Sequence, residues 1–168
     1  MSVSLTFSFA ALALFILQTT FLAGTFFFKN VDLFIILAAY LGFTHKPEQA
    51  IIPVVFMGLL AHTFSGGWEA TSVIMYGSVF LLCFTMRWKA NLDLLIYRMT
   101  LIFICSFCSG VLLLGYGFFS KVWMPFQWSA LLVPALSTAA ISPFICWLFR
   151  NLDGWRQHLI RNFRYGPI

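Results

Sequence analysis

The sequence has 168 residues, of which 61% are hydrophobic and only 9% are charged, with a formal net charge of +5. An average globular chain is about 45–50% apolar and about 25% charged. A compact soluble protein of this length could not cover so much apolar surface with ten basic and five acidic side chains. The composition excludes a soluble enzyme, a nucleic-acid-binding module and a disordered chain, and it predicts an integral membrane protein.

Long runs without charge predict the membrane-spanning helices. Residues 1–28, 99–120 and 122–149 contain no Asp, Glu, Lys or Arg, and a spanning helix needs about 20 apolar residues. Lipid offers the backbone no hydrogen-bond partners, and the alternating segments of a membrane β-barrel are not seen. We therefore predict an all-α polytopic membrane protein with six helices: 4–27, 31–44, 48–64, 70–86, 94–119 and 127–150. The second and third helices are short, so a structure with five membrane crossings is the alternative.

The basic residues predict how these helices are oriented. Basic residues favour the cytoplasmic side, and in a six-helix arrangement eight of the ten lie on the side of both termini, while Lys29 and Lys121 lie opposite. We therefore expect both termini in the cytoplasm. The first helix lacks a basic leader and is too long for a removable signal peptide. The chain 1–168 is predicted to be one transmembrane domain with a short basic cytoplasmic tail at 154–168. For this tail we favour a juxtamembrane segment over a nucleic-acid-binding one.

Three ionisable residues map to the outer side of this topology, namely Asp32, His62 and Glu69. Together they could bind a metal or transfer protons. We favour a simpler role for the two carboxylates, because each stands at a predicted helix start, where it can cap free backbone N–H groups. His62 is expected to hydrogen-bond a neighbouring helix. With no catalytic motif in the chain, we predict neither an enzyme nor a metal or cofactor site.

The four cysteines lie inside predicted helices: Cys83, Cys105, Cys108 and Cys146. Cys105 and Cys108 form a C-x-x-C pair, which resembles half of a metal or redox site. A second pair with ligand spacing is missing from the sequence. We therefore interpret all four as small buried apolar residues.

Small residues and prolines predict close packing between the last two helices. Small side chains four residues apart allow helix backbones to approach each other in lipid. Proline frees a carbonyl one turn earlier, and Ser137, Thr138 and Ser142 could engage the freed groups. The packing candidates are Ser106, Gly110, Pro134, Ala135, Ala139 and Pro143.

A tight outer hairpin is predicted between the third and fourth helices. It reads Ser65-Gly66-Gly67-Trp68-Glu69. Glycine just past a helix end readily takes the left-handed conformation that a sharp reversal needs. This hairpin is the candidate surface for a partner.

Three sequence blocks resemble the MreD family of bacterial rod-shape-determining membrane proteins. The first is an Asp that opens an aliphatic helix ending near a Tyr, over 31–41. The second is a glycine, an apolar turn and a Ser-Gly hairpin over 58–67. The third is a small-residue last helix with a proline, over 135–143, followed by a basic segment that includes Arg150. The sequence departs from the family where His62 replaces an acidic residue and where Trp68-Glu69 replaces an apolar residue and a glycine.

The resemblance implies a non-enzymatic scaffold of the cell-wall elongation machinery in the bacterial inner membrane. Such a protein would bind an MreC-like single-span partner, and through it would connect the peptidoglycan synthases outside with the MreB cytoskeleton inside. A role of the acidic residue in the family cannot be assigned to His62 unchanged, because imidazole and carboxylate differ in charge.

A second interpretation is the substrate-binding membrane subunit of an energy-coupling-factor vitamin transporter. Such subunits are also small, basic and built from six helices. They usually carry A-x-x-x-A pairs on the first helix, which is instead rich in phenylalanine here. Their pockets also need several convergent polar groups, and the predicted spans offer few. We therefore rank the scaffold above the transporter.

Overall fold

The structure, a computed structural model, describes residues 3–22, 31–65, 69–87, 95–119 and 128–165. Within these ranges the chain is helical except at residues 31–32, 45–46 and 87, and strands are absent from them, which confirms the all-α prediction. The first helix continues as a π-helical turn, Leu17–Leu22. The α-helices are α1 (Val3–Ile16), α2 (Leu33–Thr44), α3 (Pro47–Ser65), α4 (Glu69–Met86), α5 (Leu95–Phe119) and α6 (Trp128–Tyr165).

Two of the described helices are long and apolar enough to cross a bilayer on length and composition: Val3–Thr20 and Leu131–Gln157. Shorter apolar stretches lie at Leu33–Thr44, Thr71–Met86 and Ile96–Leu112. The six helices of the prediction are therefore present as helices, and six crossings of a membrane stay a prediction.

The short helix α2 is the centre of the bundle. It contacts each of the other five helices, and every residue from Leu33 to Phe43 is buried. A helix that is apolar on all sides is one that is buried on all sides. At about 1.5 Å per residue, its twelve residues reach about 18 Å, so α2 extends through only part of the bundle.

Two glycines allow α4 to lie close to its neighbours. A methyl group at Gly42 of α2 would stand 2.8 Å from the Phe80 carbonyl oxygen and 2.8 Å from the Cys83 Cβ. A methyl group at Gly58 of α3 would stand 2.6 Å from the Val73 Cα. In both places the backbone of α4 occupies the space that a side chain would need.

Prolines inside helices leave carbonyls that hydroxyl groups then engage. Pro53 cannot donate to the carbonyl one turn earlier, that of Gln49, and the Ser4 hydroxyl donates to this oxygen at 3.0 Å. This bond connects α1 to α3. Pro143 likewise frees the Ala139 carbonyl, to which the Ser142 hydroxyl donates at 2.7 Å, as predicted. Ser137 donates to the carbonyls of Val133 and Pro134, neither of which is a carbonyl that a proline frees.

The last helix is longer than predicted. It does not end near Arg150 but continues to Tyr165, so most of the predicted tail is helical. Asp153 and Arg156 form an ion pair one turn apart, with 2.8 Å between Oδ1 and Nη2, and such pairs stabilise helices. Proline next occurs at Pro167, so nothing in the sequence breaks the helix before its end.

The cysteines are only partly buried. Cys83 and Cys105 are buried, with 3.9 Å between their sulfur atoms. Cys108 is exposed, so its predicted burial is wrong. The C-x-x-C pair thus places its two thiols in different surroundings, because α5 turns one toward α4 and the other outward.

The exterior of the bundle is apolar. On α1 the residues Phe7, Ala11 and Leu14 are buried, yet the opposite side carries Phe9 and Ile16, which are 59% and 51% exposed. The other outer helices expose equally large apolar side chains: Ile52, Leu59, Ile74, Leu81, Leu112, Leu136 and Phe144. Soluble monomers rarely expose apolar patches of more than a few hundred Å².

Candidate functional site

Asp32 is the N-cap residue of α2, which is the role that we expected of a carboxylate at a helix start. Its backbone is extended, and its Oδ1 accepts hydrogen bonds from the N–H groups of Phe34 at 3.0 Å and Ile35 at 3.2 Å. These are two of the N–H groups that a helix start leaves without a partner. The carboxylate therefore fixes where α2 begins.

Polar groups from three other elements converge on this helix start. The Tyr76 hydroxyl of α4 donates to the Asp32 Oδ2 at 3.1 Å. The Thr138 hydroxyl of α6 accepts from the Asp32 N–H at 3.1 Å. The Gln18 amide, in the π-helical turn, donates to the Val31 carbonyl at 3.3 Å. We call Gln18, Asp32, Tyr76 and Thr138 the central polar cluster.

The central polar cluster lies in the middle of the bundle rather than at its outer end. Tyr76 and Thr138 are well inside their helices, Thr138 being about 15 Å along α6 from Trp128. Asp32 therefore lies beside the interior of α4 and α6, and its position relative to a membrane face stays a prediction. Residues 31–32 thus reach the interior of the bundle, and α2 continues from there.

The arrangement positions the start of α2. Oδ1 receives two backbone donors and Oδ2 receives a phenol, so the carboxylate is used as an acceptor on both oxygens. Four elements are thereby held at one point by groups that are otherwise surrounded by apolar side chains.

A second cluster closes the opposite end of α2. The carboxylate of Asp153 lies between the His45 Nε2, at 3.5 Å from Oδ2, and the Arg156 Nη2, at 2.8 Å from Oδ1. The His45 ring stands edge-on to Phe7 with 5.0 Å between ring centroids. Phe149 packs against Phe7 and Tyr40 at 6.5 and 5.4 Å. We call His45, Asp153 and Arg156 the inner ionic cluster.

The inner ionic cluster should make stability depend on pH. Burial lowers the pKa of His45 below its ordinary value of 6.5, and Arg156 and Arg87 lower it further, while Asp153 opposes them. The unfolded chain then binds more protons than the folded one just below pH 6.5. Stability is therefore full above this pH and falls as the pH is lowered toward the folded pKa, with a slope of at most about 1.4 kcal/mol per pH unit for one proton.

Unfolding of the purified protein in detergent between pH 8 and pH 5 measures this dependence. In the variant His45→Gln, the part of the pH dependence of stability that is due to His45 should disappear. In Asp153→Asn, stability should fall more steeply at low pH, because this variant removes the group that opposes the lowering of the His45 pKa. An unchanged slope in His45→Gln would assign the dependence to other groups.

The other predicted outer-side residues are placed as follows. His62 is half-buried in the last turn of α3. Glu69 is the first residue of α4, and its side chain lies outside the described residues, as do Gly66 and Gly67 of the predicted hairpin. Among the described residues, no three His, Cys, Asp or Glu side chains come close enough to hold a metal ion.

Helices α5 and α6 pack against each other, and the packing candidates are placed on them as follows. Ser106, Ala135 and Ala139 are buried, and a methyl group at Gly110 would stand 2.8 Å from the Leu131 Cδ2. Pro134 and Pro143 are half-buried within α6.

Sequence reasoning missed Tyr76 and Gln18 and assigned Thr138 another task. A phenol and an amide inside apolar helices carry a signal, since a buried polar group needs a hydrogen-bond partner. The sequence does not indicate which partner each finds. The π-helical turn was also missed, and such turns often mark functional sites.

Comparison with protein-family models, with curated proteins and with solved structures finds no significant match to this chain.

Proposed function

We propose that this protein is a polytopic protein of the bacterial inner membrane, with both termini in the cytoplasm, and that it acts as a non-enzymatic scaffold of the cell-wall elongation machinery. In this role it binds an MreC-like single-span protein, and it reaches the wall synthases and the MreB cytoskeleton only through that partner. The observation that carries the proposal is an apolar exterior around a core in which one buried helix is held from every side.

The apolar exterior supports a bilayer as the surrounding medium. Ile74, Leu136 and Phe144 are 66%, 59% and 65% exposed and belong to different helices. In water this surface would lead to aggregation, whereas in lipid it is solvated. The charged inner ionic cluster lies at one end of α2, as expected for a group near the membrane surface.

The core supports a scaffold because it is built to hold a shape. The central polar cluster connects α2 to α4, α6 and the π-helical turn, and the Gly42 and Gly58 contacts bring α4 close to α2 and α3. A rigid bundle with exposed apolar helix faces is suited to lateral docking of a partner helix. The identity of the partner rests on the resemblance to the MreD family, and the outer hairpin around Gly66 and Gly67 stays its proposed contact.

A tagged pull-down from native membranes in mild detergent, read by mass spectrometry, tests the proposal. We expect an MreC-like protein together with wall-synthesis enzymes, and we expect the tagged chain itself to resist alkaline carbonate extraction. An unrelated polytopic protein with the same tag is the control. Recovery of two cytoplasmic ATPases with a second membrane subunit would instead support the transporter.

Photo-crosslinking then maps the contact on the folded bundle. A crosslinking residue is placed at one exposed position on each outer helix: Phe9, Ile52, Ile74, Leu112 and Leu136. Binding of a single partner helix predicts crosslinks from one helix or from two adjacent ones, such as α4 and α5, where Ile74 and Leu112 line a common cavity of about 160 Å³. Equal crosslinking from all five positions would contradict a defined docking face.

A further inference from the structure

A cavity of about 340 Å³ lies between α5 and α6, and two arginines line it. Arg98 and Met99 come from the first turn of α5, and Cys146, Trp147 and Arg150 come from α6. The α6 residues recur every three to four positions, so they occupy one face of that helix. Trp147 is 52% exposed and Arg150 is also exposed, and the cavity therefore reaches the surface of the bundle.

The cavity lies at the end of the bundle that carries the inner ionic cluster. Arg150 directly follows Phe149, whose ring packs on Tyr40 near the end of α2. One turn further along α6, the Asp153 carboxylate is held by Arg156 and His45. In the proposed topology this is the cytoplasmic surface of the membrane, at the level of the lipid headgroups.

The lining has the chemistry of a phosphate site with an apolar entrance. Guanidinium groups bind phosphate oxygens in a planar, two-pronged geometry. Outside the cavity, Phe144 is 65% exposed and its ring stacks with that of Trp147, with 6.2 Å between centroids. A free phosphate ion makes no favourable contact with this apolar surface, whereas the acyl chain of a lipid can pack on it. Basic cavities between helices at the cytoplasmic side are suited to anionic headgroups.

We propose that Arg98 and Arg150 bind the phosphate of an anionic phospholipid from the inner leaflet, with its acyl chain along Phe144 and Trp147. This inference rests on the membrane location in the proposed function, but not on the identity of the protein partner. A bound lipid would join α5 to α6 at the inner surface, where Arg98 and Arg150 place like charges on the two helices.

Native mass spectrometry of the full-length protein in mild detergent measures the binding, with phosphatidylglycerol as the probe. Phosphatidylcholine with the same acyl chains and soluble glycerol phosphate are the comparison ligands. We expect the double variant Arg98→Gln/Arg150→Gln to weaken phosphatidylglycerol binding by about tenfold or more, since each charged hydrogen bond contributes at least about tenfold. Arg98→Lys/Arg150→Lys should bind with intermediate affinity, because it keeps the charge and loses the two-pronged geometry.

The matched control is Lys46→Gln/Arg87→Gln, which removes two exposed basic side chains from the same end of the bundle. It should change the affinity by less than about twofold. An equal loss in this control would overturn the site in favour of general charge attraction. Equal binding of phosphatidylcholine would overturn the preference for anionic lipid, and equal binding of glycerol phosphate would identify the ligand as free phosphate.

The same variants separate this inference from the proposed function. Pull-down of an MreC-like protein by the Arg98→Gln/Arg150→Gln variant, without selective lipid binding by the wild type, would overturn the lipid site alone. Selective lipid binding in a chain that captures no such protein would overturn the scaffold alone. Thermal unfolding within a few degrees of the wild type shows that the variants are folded, and the Lys variants provide the readout if the Gln variants are not.

Discussion

Replacing Gly58 with alanine is expected to destabilise the bundle strongly, by about 1–3 kcal/mol or more. The new methyl group would stand 2.6 Å from the Val73 Cα and 3.0 Å from its backbone nitrogen. A backbone atom cannot turn away as a side chain does, so α3 and α4 would have to separate along their contact. Gly42→Ala should have a comparable effect, since the Phe80 carbonyl oxygen and the Phe84 nitrogen lie in its way.

Glycines of two other helices provide the controls. Gly77 on α4 has open space where a methyl group would be placed, so Gly77→Ala should be neutral or stabilise by up to about 1 kcal/mol, as expected for glycine replaced within a helix. The loss of stability in Gly110→Ala should lie between those of Gly58→Ala and Gly77→Ala, because the atom in its way is the flexible end of the Leu131 side chain. Unfolding of the purified variants in detergent ranks their stabilities. Equal stability of Gly58→Ala and Gly77→Ala would show that the helices are not packed so closely.

The extent of the helices could be predicted from the sequence, because charge and turn residues interrupt the apolar runs. The observed starts of α2 to α6 lie within two residues of the predicted ones. The end of α6 could not be predicted from the sequence, since the segment 151–165 is polar enough to suggest a tail. Local pairs such as Asp153 with Arg156 stabilise it as a helix.

The arrangement of the helices could not be predicted, because in an apolar sequence the hydrophobic pattern carries little information about sidedness. On α1 the exposed Phe9 is as apolar as the buried Phe7. The same uniformity hid the position of α2, whose shortness left the number of crossings open but did not indicate a helix enclosed by all the others. Polar side chains gave better guidance, since Asp32 indicated a helix start, but its partners depend on the tertiary contacts of α4 and α6.

The two clusters assign different tasks to the two ends of α2. Near Asp32 the carboxylate accepts hydrogen bonds on both oxygens and lies in the middle of the bundle, so it sets where the helix begins. Near His45 the buried imidazole lies 3.5 Å from the Asp153 carboxylate and its pKa is lowered by burial, so this end responds to pH. A partner or a lipid that alters the inner end would therefore change the environment of His45 before it disturbs the position of α2.

Replacing Asp32 with alanine is expected to destabilise the protein by about 2–4 kcal/mol. Loss of an N-cap contributes about 0.5–2 kcal/mol, and the Tyr76 hydroxyl, which donates to Oδ2 at 3.1 Å, would lose this buried acceptor at a further cost of about 1–3 kcal/mol. Tyr76→Phe alone should have a smaller effect, because the carboxylate keeps its two backbone donors. Tyr97→Phe is the matched control, since the side chain of Tyr97 is 49% exposed on α5.

The double variant decides whether Asp32 and Tyr76 act as a pair. In Asp32→Ala/Tyr76→Phe no hydroxyl is left behind, so the combined loss should be smaller than the sum of the single losses by about 0.5–3 kcal/mol. Unfolding in detergent, measured for the four proteins of this cycle, gives the coupling. Effects that add to within about 0.5 kcal/mol would mean that Asp32 acts only on its own helix. Coupling of the expected size would instead show that the start of the central helix is fixed jointly by α2 and α4.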